Sequence, residues 1–163
     1  MFDTAAIEAT DKPGFYAELA QQAEGLLYDE HDRIANAANL SALLYRSLPE
    51  VNWAGFYFLR DGELLVGPFQ GKPACVRIPL GRGVCGTAAE TRETQLVADV
   101  NAFDGHIACD ADSRSEVVVP LVLDGELIGV LDIDSPVAER FDAEDQAGLE
   151  VIAALYMRAI AED

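Results

Sequence analysis

Three cysteines are the side chains of this sequence best suited to nucleophilic or redox chemistry: Cys75, Cys85 and Cys109. Most free cysteines in proteins act as small buried hydrophobic residues, and Cys75, beside Val76 and Ile78, fits that interpretation. Cys109 fits it poorly, because its segment HIACDADSRSE is polar. A reactive cysteine must be exposed and must spend time as a thiolate, so we take Cys109 as the first candidate nucleophile.

The acidic surroundings of Cys109 limit the chemistry it can do. Four acidic residues lie near it in the sequence: Asp104, Asp110, Asp112 and Glu116. Carboxylates raise the pKa of a thiol, which opposes the resting thiolate that a cysteine hydrolase needs. His106 is three residues away and could act as the base, although a lone histidine in a loop is more often a surface residue. A hydrolase is therefore a weaker alternative, since no Asn or Asp partner for His106 is evident.

A sulfoxide substrate fits the acidic residues better. The sulfoxide oxygen must be protonated before a thiolate can displace it, and a carboxyl group with a raised pKa supplies that proton. Asp132 and Asp134 stand two apart in LIGVLDIDS, so in a strand they point to one face and repel each other. Glu116 opens the preceding predicted strand and is a candidate neighbour. The alternative, a polar strand end leaving the core, is about equally compatible with the spacing alone.

An aromatic pair on the first predicted strand offers an apolar surface. Trp53, Gly55 and Tyr57 alternate in VNWAGFYFL and therefore share one face. Aromatic residues in strands usually belong to the core. They could instead line a pocket for an apolar tail or a methyl group, while the nearby carboxylates suit the ammonium group of a ligand.

The elements that position these residues indicate an α+β fold. Helical spacing of apolar residues predicts helices over about 13–27, 32–47 and 141–160, and a short helix over 87–91 follows a glycine-rich loop at 80–86. Strands are predicted over 51–59, 63–66, 75–79, 95–97, 116–123 and 126–133. The Asp61-Gly62 and Asp124-Gly125 pairs predict tight hairpins, and hence a mainly antiparallel sheet with helices packed on it.

Composition excludes several classes of function. The 163 residues carry a formal charge of −18 with 50% hydrophobic residues, which favours one domain with a substantial core. Such acidity argues against nucleic acid and anionic membranes as partners. With no secretory signal and no spanning segment evident, we expect a cytoplasmic protein with reduced or transiently oxidised cysteines. No zinc-ligand spacing is present, so we expect no metal.

Five segments together resemble the free methionine-(R)-sulfoxide reductases, single-domain proteins of the GAF fold. They are IANAANLSALLY, VNWAGFYFL, CVRIPLGRGVCGTAA, HIACDADSRSEVVVPL and GVLDIDSP. The resemblance covers residues 29–156 and implies one GAF-like domain over 1–163, with residues 1–28 as an N-terminal helical region. It also implies a homodimer.

The resemblance implies a role for each candidate residue. Cys109 matches the catalytic cysteine, which becomes a sulfenic acid; Cys75 matches the main resolving cysteine, and Cys85 an alternative one. Thioredoxin would reduce the Cys75–Cys109 disulfide as external reductant, with no bound cofactor. The expected substrate-binding residues are Glu116, Asp132 and Asp134 for the sulfoxide oxygen and amino group, Trp53 and Tyr57 for the methyl end, and the backbone N–H groups of Ile107, Ala108 and Cys109.

A second hypothesis is a GAF module that binds a small molecule or senses redox state without catalysis. Such modules commonly occur within longer signalling chains, and the lack of an evident output domain favours the enzyme. If the pocket must hold an ammonium group, a methionine sulfoxide inside a peptide would leave a carboxylate unpaired and should be rejected strongly.

Overall fold

The computed structural model describes residues 4–105 and 111–161. Six antiparallel strands form one sheet in the order β3-β2-β1-β6-β5-β4. The strands are β1 (Trp53–Arg60), β2 (Glu63–Gly71), β3 (Arg77–Pro79), β4 (Gln95–Val97), β5 (Ser115–Leu123) and β6 (Glu126–Ser135). The helices are α1 (Lys12–Leu27), α2 (Arg33–Ser47), α3 (Gly83–Thr91) and α4 (Ala143–Ala161), with a 3₁₀ turn at Val100–Ala102. The α+β class expected from the sequence is confirmed.

Both predicted hairpins are present. Asp61 and Gly62 have φ of 53° and 82°, and Asp124 and Gly125 have φ of 51° and 81°. Two successive positive φ angles define the type I′ turn, whose twist matches that of the strands it joins. These turns set the β1–β2 and β5–β6 pairing that carries the candidate site.

The sheet separates two hydrophobic clusters. One face packs on α2 and α4, with α1 packed on these two helices, and includes Phe56, Leu131 and Ile133. The opposite face packs on α3 and the loops and includes Trp53 and Tyr57. Because side chains alternate along a strand, Val130, Asp132 and Asp134 of β6 lie on the α3 side.

A buried carboxylate joins α1 to α4. Asp145 is 1% exposed and accepts hydrogen bonds from Lys12 Nζ at 2.6 Å, Tyr16 Oη at 2.7 Å and Arg140 Nη1 at 3.4 Å. It also accepts one from the backbone N–H of Asp142, whose carboxylate accepts in return from Asp145 N. This reciprocal pattern is a capping box, and α4 begins directly after Asp142, at Ala143, two residues later than the start predicted at residue 141.

The second predicted helix also agrees with the structure at its start and its end. Asp32 caps α2 by accepting from Ala35 N at 2.8 Å. The helix packs against β1, β2 and α1, and Ile34 remains 54% exposed. At α1, Asp11 occupies the N-cap position, but its side chain makes no capping hydrogen bond.

Several element boundaries differ from the sequence prediction; for example, β3 begins at Arg77 instead of residue 75, and β6 ends at Ser135 instead of residue 133. β1 begins at Trp53 instead of residue 51, and β2 extends to Gly71 instead of ending near residue 66. Helix α3 begins at Gly83, four residues before the predicted start, because its glycine-rich first turn is held by surrounding backbone. Among the described residues, no helix is both long and apolar enough to cross a membrane.

Candidate active site

Strand register brings the three predicted acidic residues together. Glu116 of β5 lies opposite Asp134 of β6, and Asp134 lies opposite Trp53 of β1. Asp132 lies two residues earlier on the same face, opposite Gly55. The predicted shared face is confirmed. The alternative of a polar strand end leaving the core is wrong, because β6 continues to Ser135 and both aspartates are buried within it.

Burial and neighbouring carboxylates alter the acidity of one member of this cluster, Asp132. Glu116, Asp132 and Asp134 are 8%, 4% and 9% exposed. Burial, followed by the charges of Asp134 and Glu116, raises the pKa of Asp132 well above its usual value. The Oδ1 atom of Asp132 accepts no hydrogen bond from any residue in the described ranges. The cluster is therefore suited to hold a proton and to accept hydrogen bonds from a ligand.

Trp53 and Tyr57 form an aromatic wall beside the carboxyl groups. Their ring centroids lie 5.8 Å apart, and Trp53 also stacks on Phe69 at 5.0 Å. Trp53 Nε1 donates to the carbonyl of Lys72 at 3.1 Å, and Tyr57 Oη donates to the carbonyl of Cys75 at 3.0 Å. These bonds satisfy both polar groups and hold the 72–75 segment against the wall, which places the half-buried Cys75 next to the site.

Gly55 makes the aromatic stack possible. A Cβ atom at this position would lie 2.3 Å from Phe69 Cβ and 2.9 Å from the carbonyl oxygen of Pro68. The β1–β2 register also shifts between Gly55 and Tyr57. Close backbone approach of this kind requires glycine. The alternation in the sequence placed Gly55 on the correct face, but nothing in it indicated Phe69 as the neighbour.

The sequence predicted Cys85 to lie in the glycine-rich loop at 80–86, but in the structure it lies in the first turn of α3. Its side chain is 5% exposed, and its Sγ donates to Glu116 Oε2 at 3.8 Å. Burial, followed by the nearby charges of Asp132 and Glu116, raises the pKa of the Cys85 thiol. We conclude that Cys85 is a protonated thiol at the floor of the site.

These residues line one cavity, whose empty volume of about 550 Å³ includes open solvent. Its lining residues are Trp53, Tyr57, Pro73, Ala74, Ile78, Arg82, Gly83, Val84, Cys85, Ser113, Glu116, Asp132 and Asp134. Sequence reasoning missed Arg82 and Ser113. The glycine-rich loop at 80–86 was the available signal for Arg82, which is the only cation among the described lining residues.

Three predicted site residues, Ile107, Ala108 and Cys109, lie outside the described residues, as does His106. The chain on either side is located at the cavity. The carbonyl of Gly105 accepts from Gly83 N at 3.1 Å, and Ser113 lines the cavity and accepts from Asn52 Nδ2 at 3.3 Å.

Comparison with known proteins first defines the class. The family model described as GAF domain matches residues 28–161. The free methionine-R-sulfoxide reductase of Escherichia coli is 54% identical over 151 residues, covering 93% of this chain and 92% of that protein. The protein of the same name from Saccharomyces cerevisiae is 46% identical over 91% of this chain and 87% of its own length.

A solved structure agrees with these sequence relatives. Free methionine-R-sulfoxide reductase from Neisseria meningitidis, in complex with its substrate, superposes with a TM-score of 0.93 at 43% identity, covering 98% of this chain and 96% of that one. The chain therefore belongs to the GAF domain family and, within it, to the free methionine-R-sulfoxide reductases.

Proposed function

We propose that this protein reduces free L-methionine-(R)-sulfoxide to L-methionine. The observation that carries the proposal is the cavity itself, in which three buried carboxyl groups face an aromatic wall. This arrangement can bind an ammonium group and a sulfoxide oxygen at one end and an apolar S-methyl group at the other. The named relatives support the same substrate.

In the proposed reaction, the Cys109 sulfur attacks the sulfoxide sulfur while a carboxyl group donates a proton to the oxygen. The S–O bond breaks and the oxygen, protonated twice, leaves as water, so that the Cys109 sulfur is bonded to a sulfonium. Water then attacks the Cys109 sulfur, the S–S bond breaks, methionine leaves, one proton is released, and Cys109 becomes a sulfenic acid. Asp132 is our candidate proton donor, because its raised pKa keeps a proton on a group that faces the cavity. Glu116 and Asp134 would then bind the amino group, and the backbone N–H groups of Ile107, Ala108 and Cys109 would donate to the substrate.

We further propose that the Cys75 thiol attacks the sulfenic acid, releasing water and forming a Cys75–Cys109 disulfide. Two observations support Cys75 as the resolving residue: Cys75 is disulfide-bonded, whereas Cys85 is a free buried thiol. Thioredoxin would reduce the disulfide by exchange and regenerate both thiols. A cytoplasmic location and a homodimer belong to the same proposal.

The decisive assay supplies the reduced protein with thioredoxin, thioredoxin reductase and NADPH, and follows the oxidation of NADPH by the reductase. We expect turnover with free L-methionine-(R)-sulfoxide, little with the (S) epimer, and at least about 100-fold lower kcat/KM with the N-acetylated amide, which cannot present an ammonium group. No turnover by a folded, reduced sample would refute the enzyme and favour the non-catalytic module. Equal turnover of free and blocked substrates would refute the binding role of the carboxylates.

A further inference from the structure

We propose that the floor of the cavity is also a binding site for a thiophilic divalent cation, with Zn²⁺ as the representative ion, and that the cation excludes the amino-acid ligand. The proposed ligands are Cys85 Sγ and one carboxylate oxygen each from Glu116 and Asp132. These three atoms all lie within 4.8 Å of one another, and all three residues are buried.

The distances fit a zinc ion after small side-chain movements. Zn–S bonds are about 2.3 Å and Zn–O bonds about 2.0–2.2 Å in a tetrahedral site, so ligand atoms lie roughly 3.3–3.6 Å apart. Cys85 Sγ and Glu116 Oε2 are already 3.8 Å apart. Each ligand therefore needs to move inward by at most about 1 Å, and three protein ligands leave a fourth position open to the cavity.

A second observation indicates that the cluster needs a positively charged or proton-donating ligand. Asp132 Oδ1 is buried and accepts no hydrogen bond from the residues that the structure describes. An ammonium group would satisfy that atom, as the proposed function requires. However, a sulfur atom is a poor hydrogen-bond partner for an ammonium group, whereas one thiolate with two carboxylates is a donor set that binds Zn²⁺.

Charge favours the same occupant. Glu116, Asp132 and Asp134 bring up to three negative charges into one buried cluster, and Cys85 becomes a thiolate when it binds the metal, releasing its proton to the buffer. A divalent cation neutralises two of these charges at once. It would occupy the position proposed for the substrate amino group, so metal and amino acid should compete.

The test uses the Cys75→Ser/Cys109→Ser double variant of the full chain, in which Cys85 is the only thiol. Addition of Co²⁺ as a spectroscopic probe for Zn²⁺ should produce one equivalent of thiolate-to-cobalt charge-transfer absorption in the near ultraviolet. Zn²⁺ should then displace the Co²⁺ stoichiometrically. Changing Cys85 to Ser in the same background should remove the band. The matched acidic control Asp124→Asn, at the exposed β5–β6 turn, should leave it unchanged.

The second part of the experiment tests whether methionine competes with the metal ion, and it rests on the proposed function. Free methionine in excess should raise the apparent Kd for Co²⁺ at least about tenfold. A missing band in the folded double variant, or a band that survives Cys85→Ser, would overturn the metal site. A band that methionine does not affect would overturn the competition. Far-ultraviolet circular dichroism shows that each variant is folded. Methionine binding is followed by calorimetry in the absence of metal, and its absence in the folded double variant would count against the proposed function alone.

Discussion

At the scale of single residues, the carboxyl cluster is placed where it costs stability. Asp132 is buried beside Glu116 and Asp134 without a cation opposite it among the described strands, and the charged form of such a group is poorly stabilised. Functional sites commonly retain arrangements of this kind at the expense of the folded state. The same residue should therefore limit stability and support activity.

Replacing Asp132 with Asn should separate these two effects. The pKa of Asp132 is raised in the folded protein, so ionising it costs free energy of folding once the pH rises above the unfolded pKa of about 3.9. We expect D132N to gain about 1 kcal/mol at pH 7, roughly 2–4 °C in Tm, and no gain near pH 4. Its kcat/KM should fall at least about 100-fold.

Urea denaturation at the two pH values and the NADPH-coupled assay test this prediction. Asp124→Asn is the matched control, since it changes the same group on the exposed turn and should affect neither measurement. A D132N protein that is less stable than wild type at pH 7 would contradict the argument.

The two described cysteines should differ in recycling. Cys85 is buried and its pKa is raised by burial and by Asp132, so its sulfur is a poor nucleophile and thioredoxin cannot reach it. Cys75→Ser should release about one methionine per chain and then stop, because the sulfenic acid is not resolved. Cys85→Ser should continue through many turnovers, with a changed KM because Cys85 lines the cavity.

Methionine released per chain, with and without thioredoxin, distinguishes the two variants. If C75S turned over repeatedly while C85S stopped after one cycle, the roles would be exchanged.

Residue types and strand periodicity were sufficient to predict much of the site. Alternation alone placed Asp132 with Asp134, and Trp53 with Tyr57, on common faces. It could not supply Arg82 or Ser113, because they reach the cavity from segments whose positions depend on tertiary packing. Nor could it show that Cys85 lies in a helix, since glycines at 81, 83 and 86 lower the local helix propensity.

At the scale of elements, α3 depends on close backbone approach for its position. Gly86 N donates to the carbonyl of Arg82, and Gly81 N donates to the carbonyl of Gly86. A Cβ at Gly86 would lie 2.5 Å from the carbonyl oxygen of Pro79. These contacts fix the first turn of α3, which carries Cys85, against the end of β3.

Gly86→Ala should therefore displace α3 from β3. We expect a loss of about 1–3 kcal/mol in the free energy of unfolding, as is typical of an overpacked position, together with weaker methionine binding. Gly25→Ala is the control, because Gly25 lies within α1 with nothing within 4 Å of an added Cβ. That change should stabilise the protein by about 0.5–1 kcal/mol.

Chemical denaturation and calorimetric titration with methionine measure both variants. Equal stability of G86A and wild type would show that α3 can shift without cost, and the contact with Pro79 would then not explain the position of the helix.

At the scale of the whole molecule, the net negative charge lowers the stability of the fold, whereas one individual carboxylate raises it. The chain carries −18, and such an excess destabilises a folded protein by self-repulsion. One exposed carboxylate acts in the opposite direction: the hydrogen bond from Lys12, followed by the one from Asp145 N, lowers the pKa of Asp142 to about 2. Because this carboxylate lies largely in solvent, its ion pair contributes little.

These charges predict a stability maximum at mildly acidic pH. Lowering the pH from 7 towards about 5 reduces the repulsion. It also favours the folded state, because the raised pKa of Asp132 means that the folded chain binds a proton there more tightly than the unfolded chain does, so stability should increase. Below about pH 4, Asp142 loses its contribution progressively, because a group with a lowered pKa stabilises only while it is ionised. Urea midpoints at pH 7, 5 and 3 should therefore be highest at pH 5.

Two further measurements separate the contributions. Added NaCl should raise the midpoint at pH 7 by screening the net charge, and D132N should reduce the increase between pH 7 and 5. A midpoint that falls steadily from pH 7 to 5 in wild type would show that neither the net charge nor Asp132 limits the stability of the fold.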